Sequence, residues 1–404
     1  MSELEAALDR VRQDPTPESL AKAWEPICVA LDGISEAALD SAIASVDEVT
    51  AGIWLPYRRV MHHWWSRIEQ GKREPRIAAA RSLSLRDIRE STIEFLTHAP
   101  ELLHIERLGL MDAPYDAPFK PKYMRPFTTS PWVRNLRYLS VGLPLGDSGL
   151  GHLCRSTHLA GVETLVVYAG NFKSRAGRAL AKRKAFLRLR ELQLYRCHIG
   201  KAGIEELVAG DWSALELLTL EECGLNAEAL AILAATEFPQ LTQLRLNGND
   251  IGAALGDALA SAPWIAQLES VAMESLRLDM PSAKRLFKTL ESSPLTHLDL
   301  SLNGELADFT PLLKSPVLSR LTSLRLSYCD LQDDAVQALT RLDLPHLEHL
   351  SLGGSNAWSS QTVDALVASP LLTQLKHITV PRSLDEEARE RIDKALTRAG
   401  AYLV

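Results

Sequence analysis

The sequence predicts an α/β solenoid of repeated strand-and-helix units, with a small helical segment in front. Three observations predict it. An apolar triplet recurs along most of the chain, its spacing is nearly constant, and the intervals between copies carry an apolar stripe at helical period.

The triplet is L-x-x-L-x-L. It is complete at Leu189-Leu192-Leu194, Leu215-Leu218-Leu220, Leu241-Leu244-Leu246, Leu295-Leu298-Leu300, Leu321-Leu324-Leu326 and Leu347-Leu350-Leu352. Substituted copies stand at Ile105-Leu108-Leu110, Leu136-Leu139-Val141, Val162-Leu165-Val167, Leu268-Val271-Met273 and Leu375-Ile378-Val380. From Leu139 onward the middle residue returns every 26 to 28 positions. The last two apolar residues alternate with polar ones, the pattern of a strand with one face buried. Three residues further on, where the chain turns beneath the strand, stand Cys197, Cys223, Asn249, Asn303 and Cys329. A polar side chain there would satisfy turn backbone groups inside the stack. An apolar plug follows two residues later, as Ile199, Leu225, Ile251 and Leu331.

The rest of each repeat reads as an amphipathic helix, for instance through Ile204, Leu207 and Val208 or Leu286, Phe287 and Leu290. Prolines (Pro239, Pro263, Pro294, Pro316, Pro345, Pro370) separate helix from next strand. This L-x-x-L-x-L-x-x-[N/C]-x-L pattern, with a full helix per repeat, resembles the ribonuclease-inhibitor-like class of leucine-rich repeats. The resemblance covers roughly residues 82 to 404 and implies a horseshoe-shaped solenoid of about eleven repeats, with parallel strands on the concave face and helices on the convex face, a fold used to present binding surfaces.

Three segments are expected: a helical N-terminal segment or cap over 1–80, the solenoid over 81–383, and a capping helix over 384–404. At the N-terminus, Leu4, Leu8 and Val11 form a helical stripe that ends at Pro15-Thr16-Pro17. Further helices are expected over Leu20–Leu31, after Ser35 as N-cap, and over Tyr57–Glu69. Ser82–Leu85 has the pattern of a degenerate first strand. Ala388, Ile392 and Leu396 form the single apolar stripe of the C-terminal helix. Between Leu110 and Leu136 the longer step holds Pro114, Pro118, Pro121, Pro126 and Pro131 among Tyr115, Phe119, Tyr123 and Phe127. Proline should suppress regular structure there. The aromatics either anchor a partner or seal the solenoid edge.

Composition narrows the function. The chain has 404 residues, 46% hydrophobic and 24% charged, as in a folded soluble protein. No apolar run reaches the roughly 18 residues that would span a bilayer. The N-terminus is acidic and amphipathic, unlike a secretory signal, so a cytoplasmic location and no membrane partner are expected. Five scattered cysteines form neither a disulfide framework nor a zinc motif. The net charge of −7 is uneven: Lys and Arg number 3 against 11 Asp and Glu in residues 1–50, then 25 against 12 in 51–200, then 16 against 28.

Catalysis has no motif to carry it. No phosphate-binding loop, dinucleotide fingerprint, H-E-x-x-H or G-x-S-x-G occurs. His62 and His63, adjacent on a helix, point about 100° apart and do not chelate one metal; the neighbouring Trp64 and Trp65 should dock on the repeats. Cys197, Cys223 and Cys329, at the turn position, should be buried and inert. No catalytic residue, metal or cofactor is therefore expected.

Binding is expected instead. The positions flanking the strand leucines include Arg107, Tyr138, Tyr168, Gln193, Tyr195, Arg196, Thr219, Glu221, Glu222, Arg245, Asn247 and Glu274, then Asp299, Ser301, Arg325, Ser327, Tyr328, His349, Ser351 and His377. Tyrosine and arginine without lysine suit a protein interface. The mixed charges suit a partner of mixed charge, unless they pair with one another between strands. The expected partner is a protein recognised by the concave face. The alternative is an acidic polymer or nucleic acid, bound by Arg175, Arg178, Lys182, Arg183 and Lys184 of the basic run 173–190 together with Arg58, Arg59, Lys72, Arg73, Arg76 and Arg81.

Overall fold

The computed structural model describes residues 2–51, 53, 58–70, 72–111, 119–304, 306, 309–354, 358–398 and 402–403. They form two compact units, one of residues 1–172 with 182–189, the other of 173–181 with 190–404.

The first unit begins with helices α1 (Ser2–Gln13), α2 (Pro17–Asp32), α3 (Glu36–Val49) and α4 (His62–Glu69). Leu4, Leu8 and Val11 are fully buried. The break at Pro15–Pro17 is completed by Thr16, whose hydroxyl accepts from the Ser19 N–H at 3.2 Å and caps α2. Ser35 precedes α3 without a side-chain cap. Tyr57, where the fourth helix was expected to start, lies outside the described residues, and α4 starts at His62. Trp64 and Trp65 are buried. Strands β1 (Ser82–Leu85), β2 (Arg107–Met111), β3 (Tyr138–Gly142) and β4 (Thr164–Tyr168) alternate with α5 (Glu90–His98), α6 (Met124–Thr129) and α7 (Gly146–Arg155). The strands are parallel and in register, with Leu83, Leu108, Leu139 and Leu165 aligned. Ser82–Leu85 is thus a true first strand.

The proline-rich segment departs from expectation. Pro114, Tyr115 and Pro118 lie outside the described residues. Beyond them Pro121 opens a 3-10 turn and Pro126 lies within the first turn of α6. A missing N–H costs no helical bond in that first turn, so proline permits the helix there. Phe119 and Phe127 point inward and are buried; the ring of Tyr123 meets Phe119 edge-on at 5.8 Å. These aromatics seal the unit.

The second unit runs α8 (Ser174–Ala181), β5 (Glu191–Tyr195), α9 (Gly200–Leu207), β6 (Leu217–Glu221), α10 (Ala227–Ala234), β7 (Gln243–Arg245), α11 (Gly252–Ala260), β8 (Ser270–Ala272), α12 (Met280–Leu290) and β9 (His297–Asp299). It continues with α13 (Thr310–Leu313), β10 (Ser323–Arg325), α14 (Asp333–Leu339), β11 (His349–Ser351), α15 (Ser360–Ala368), α16 (Pro370–Gln374), β12 (His377–Thr379), α17 (Glu386–Arg398) and β13 (Tyr402–Leu403). Again the strands are parallel, and the middle residues of the triplets, from Leu192 to Ile378, align rung by rung. The chain does not end on the expected capping helix: β13 adds a rung, with Tyr402 opposite His377. Ile392 and Leu396 of α17 are fully buried. Successive helices lie close, and where α8 meets α9 a Cβ on Gly177 would stand 1.9 Å from the Gly203 carbonyl oxygen.

The turn beneath each strand explains the Asn/Cys position. Asn303 accepts from the N–H groups of Leu276 and Leu278 in the preceding repeat, and donates to Met273, Leu300 and Ser301 carbonyls. Asn249 does the same for Cys223, Leu225, Leu220, Leu246 and Asn247. The thiols of Cys223 and Cys329 donate to Leu194 and Leu300 carbonyls. Immediately before this position the backbone is left-handed, at Arg196, Glu222, Gly248, Ser275, Leu302 and Tyr328. In each, the N–H donates to a carbonyl of the following repeat, a bond that offsets the steric cost of positive φ at non-glycine residues.

Asn303→Ala should cost about 3 kcal/mol, because two buried N–H groups and a carbonyl set lose their partner at once. A drop in the denaturant midpoint of that size, against no change for an exposed control such as Asp250→Ala, checks it.

Candidate functional site

Residues between the strand leucines point away from the helices and make the open face of the sheet. In the second unit, parallel register turns sequence positions into rows. One row, a residue before the middle leucine, is Gln243, Ser270, His297, Ser323, His349 and His377; a second, a residue after it, is Arg245, Ala272, Asp299, Arg325, Ser351 and Thr379. Neighbouring strands stand about 4.8 Å apart, so members of a row touch their neighbours.

Two adjoining hollows result. One, of about 430 Å³, includes Tyr195, Glu221, Arg245, Asn247, Glu274, Asp299 and Arg325 in its lining. Its floor is shallow in side chains because Ser270, Ala272 and Ser323 are small. The other, of about 670 Å³, shares Glu274, His297, Asp299, Ser323 and Arg325 and extends to Tyr328, Leu302, His349 and His377. The structure thus brings thirteen of the expected residues together: Tyr195, Glu221, Arg245, Asn247, Glu274, Asp299, Ser301, Arg325, Ser327, Tyr328, His349, Ser351 and His377. Gln193, Arg196 and Glu222 line neither hollow. Tyr195 donates its hydroxyl to Gln193 at 2.9 Å, and Arg196 pairs with Glu222 at 3.1 Å. Tyr138 and Tyr168 belong to the first unit, where Arg107 stacks 3.6 Å from the Tyr138 ring centre.

Some expectations change. Thr219 is completely buried and so is not available on the open face, whereas Ser301, only 7% exposed, still lines the larger hollow. Thr219 lies in register between Gln193 and Arg245, two much longer side chains. Leu302 and His297 were missed. Leu302 is 45% exposed beside Tyr328 at 49%, both at the left-handed turn position. The signal for His297 was its register with His349 and His377; that for Leu302 was its place just before the turn Asn303.

Electrostatics on this face are tightly balanced. Burial raises the Glu221 carboxyl pKa, with Glu274 and Glu222 adding to the rise while Arg245 and a hydrogen bond from Asn247 oppose it. Burial also raises Glu274, helped by Asp299 and opposed by Arg325. The Asp299 carboxylate pairs with Arg325 at 3.7 Å. His297 and His377 are lowered by burial and by the neighbouring His349 and Arg325, and so are neutral at pH 7. The rings of His349 and His377 stand 6.0 Å apart.

The basic surface expected over 58–81 is only partly exposed: Arg59, Lys72 and Arg73 are exposed, whereas Arg58 is buried. Arg58 is 3% exposed and donates to the Ala79 carbonyl, Thr50 and Asp47. Arg81 also holds Asp47 (2.7 Å), Arg76 holds the buried Glu74 (2.9 Å), and Arg73 holds Glu101 (2.6 Å). These arginines face acids of their own unit, so their charge is spent internally. In the run 173–190, Arg178 pairs with Glu206 and Arg190 with Glu216, each one repeat away. Arg175, Lys182 and Lys184 are exposed, Arg183 half-buried. Arg175 and Arg178 belong to the second unit and Lys182, Arg183 and Lys184 to the first.

His63 contacts one oxygen of Asp32 (2.9 Å) while the Trp64 indole donates to the other (2.7 Å), which fixes α4 against α2. Among the described residues no group of three or more His, Cys, Asp or Glu is placed to hold a metal ion, and no helix is long and apolar enough to cross a membrane. All five cysteines are buried and free. Burial pushes the thiols of Cys154 and Cys329 up to about 12 and about 11, and raises those of Cys28 and Cys223 as well.

Residues 319–339, spanning β10, its turn and α14, match the family model of the leucine-rich repeat. No curated protein matches the chain. Among solved structures it is similar to a chain of the yeast Rad7–Elc1 complex, with 16% identity over 97% of this chain and 93% of that one, at a TM-score of 0.49. An internalin of Listeria monocytogenes strain 4b F2365 is similar at 15% identity, 77% and 89% coverage and a TM-score of 0.38.

Two outcomes follow from these environments. Native protein at pH 8 should react slowly with a thiol reagent at all five cysteines, and rapidly once unfolded in guanidinium. Because the folded chain holds the Glu274 proton more tightly than the unfolded chain, ionising it weakens the fold as pH rises through the raised pKa. Glu274→Gln should therefore raise Tm at pH 7, with a smaller gain at pH 4, in thermal melts followed by circular dichroism.

Proposed function

We propose that this chain, a leucine-rich-repeat protein, is a non-catalytic scaffold that holds a protein partner against the open, concave face of its sheet. The observation that carries this reading is the pair of adjoining hollows sharing Glu274, Asp299 and Arg325, with Tyr195 lining one and Tyr328 and Leu302 the other. Exposed tyrosine and leucine beside arginine supply apolar contact with directional hydrogen bonding, the composition of interface hot spots. Acids and arginines alternate along the face, so a uniformly charged polymer would meet repulsion on some rungs while a protein of complementary mixed charge would be fixed in register. Residues of the face come from strands whose positions are set by the repeat, which makes the surface rigid and pre-organised. The full helices of most repeats support the ribonuclease-inhibitor-like form. A cytoplasmic setting fits five buried free thiols.

The variant Tyr195→Ala with Arg245→Glu should lose the partner. Native extract is passed over immobilised wild type and variant at low and high salt. A protein retained by wild type at both salts, and weakened at least about 30-fold by the variant, is the expected result. If every copurifying protein stays bound to the variant, the open face is not the site.

A further inference from the structure

We propose that a separate hollow on the first unit docks an acidic peptide segment that carries an apolar residue. The hollow measures about 700 Å³ and lies just before the starts of β2, β3 and β4, with Arg81, Glu106, Arg134, Arg137, Leu187 and Arg188 in its lining. The inference does not depend on the reading given above.

Its charges fall into two sets. Arg81, Glu106, Arg137 and Glu163 are the residues preceding the strands, and each backbone N–H donates to the carbonyl of the residue on the rung before. Their side chains alternate in sign and satisfy one another, Arg81 to Glu106 at 3.6 Å, Glu106 to Arg137 at 3.7 Å and Arg137 to Glu163 at 2.7 Å. Arg134 and Arg188 make the second set. Both are exposed, and among the described residues neither has a carboxylate within ion-pair distance. Two guanidiniums of different segments therefore face one hollow uncommitted. His104, also in the lining, is held below its ordinary pKa by burial and by Arg81, so it adds no charge at pH 7.

The apolar component is as definite. Leu187 is 68% exposed, whereas Phe186 beside it is completely buried. Phe186 adopts a left-handed backbone (φ 55°), and its N–H and carbonyl are tied to Leu159 and Leu189. That turn sends the phenyl ring into the core and the leucine outward. Ala160 and Gly161, also in the lining, leave room beside it. An exposed leucine between free arginines fits a peptide whose carboxylates pair with the guanidiniums while an apolar side chain covers Leu187. A peptide is favoured over nucleic acid because the exposed Leu187 offers an apolar contact that a phosphate backbone cannot cover.

The test uses the full chain and a fluorescein-labelled peptide of repeated Glu-Glu-Leu, read by fluorescence anisotropy, beside the same peptide with Ser for Leu and a labelled oligothymidylate. Binding of the Leu peptide should weaken about tenfold or more in Arg134→Glu/Arg188→Glu and several-fold in Leu187→Ser, while Lys314→Glu, at an exposed lysine outside every site described, leaves it unchanged. All these side chains are exposed, and circular dichroism confirms that the variants fold. No binding of the Leu peptide, equal binding of the Ser peptide, or indifference to the double variant overturns the proposal. Tighter binding of oligothymidylate, lost in the same double variant, overturns it in favour of a nucleic-acid site.

Discussion

Each repeat must reverse direction beneath its strand, and the turn brings backbone N–H and carbonyl groups into a stack that water does not reach. An unpaired group there costs as much as a lost hydrogen bond, repeated down the array. Asn249 and Asn303 answer this by bonding to the preceding repeat and to their own, five bonds each. Cysteine at the same position donates only from its thiol, and Cys223 receives help from Asn249 of the next repeat. Strand register, helix spacing and the location of the open face all follow from turns satisfied in this way.

The same turn decides what the protein displays. Its left-handed residue is locked by a backbone bond to the following repeat, and its side chain is left outside. Arg196, Glu222, Leu302 and Tyr328 are exposed there because the backbone needs that conformation whatever the side chain. A scaffold constraint thus creates positions at which surface chemistry can vary without disturbing the core, and the tyrosine and leucine at two of them face the larger hollow.

Charge is distributed by two rules. In the first unit the acidic helices and the basic stretch after them neutralise each other, through Asp47 with Arg58 and Arg81 and Glu74 with Arg76. Along the repeats, opposite charges meet at one repeat period, as in Arg196 with Glu222, Arg277 with Asp250, and Lys376 with Glu348. Such exposed pairs contribute little stability individually. Their consequence is that several arginines of the basic stretches, Arg178 and Arg190 among them, meet an acid one repeat away.

By itself the sequence determined the strands, the turn residues and the helical face of most repeats, because period 2 and period 3.6 apolar patterns reflect burial directly. It also determined lateral charge pairs such as Arg190 with Glu216, since a fixed repeat length places equal positions on adjacent rungs. Tertiary structure alone decided the rest. Arg58 is buried because Asp47 of α3, Thr50 just after it and the Ala79 carbonyl converge on its guanidinium, contacts with no characteristic spacing. Thr219 is covered and His297 is gathered into a hollow because neighbouring side chains differ in length from rung to rung. Periodicity records which residues leave water, whereas the shape and charge of a surface depend on which side chains meet there, and that is set only when the chain is folded.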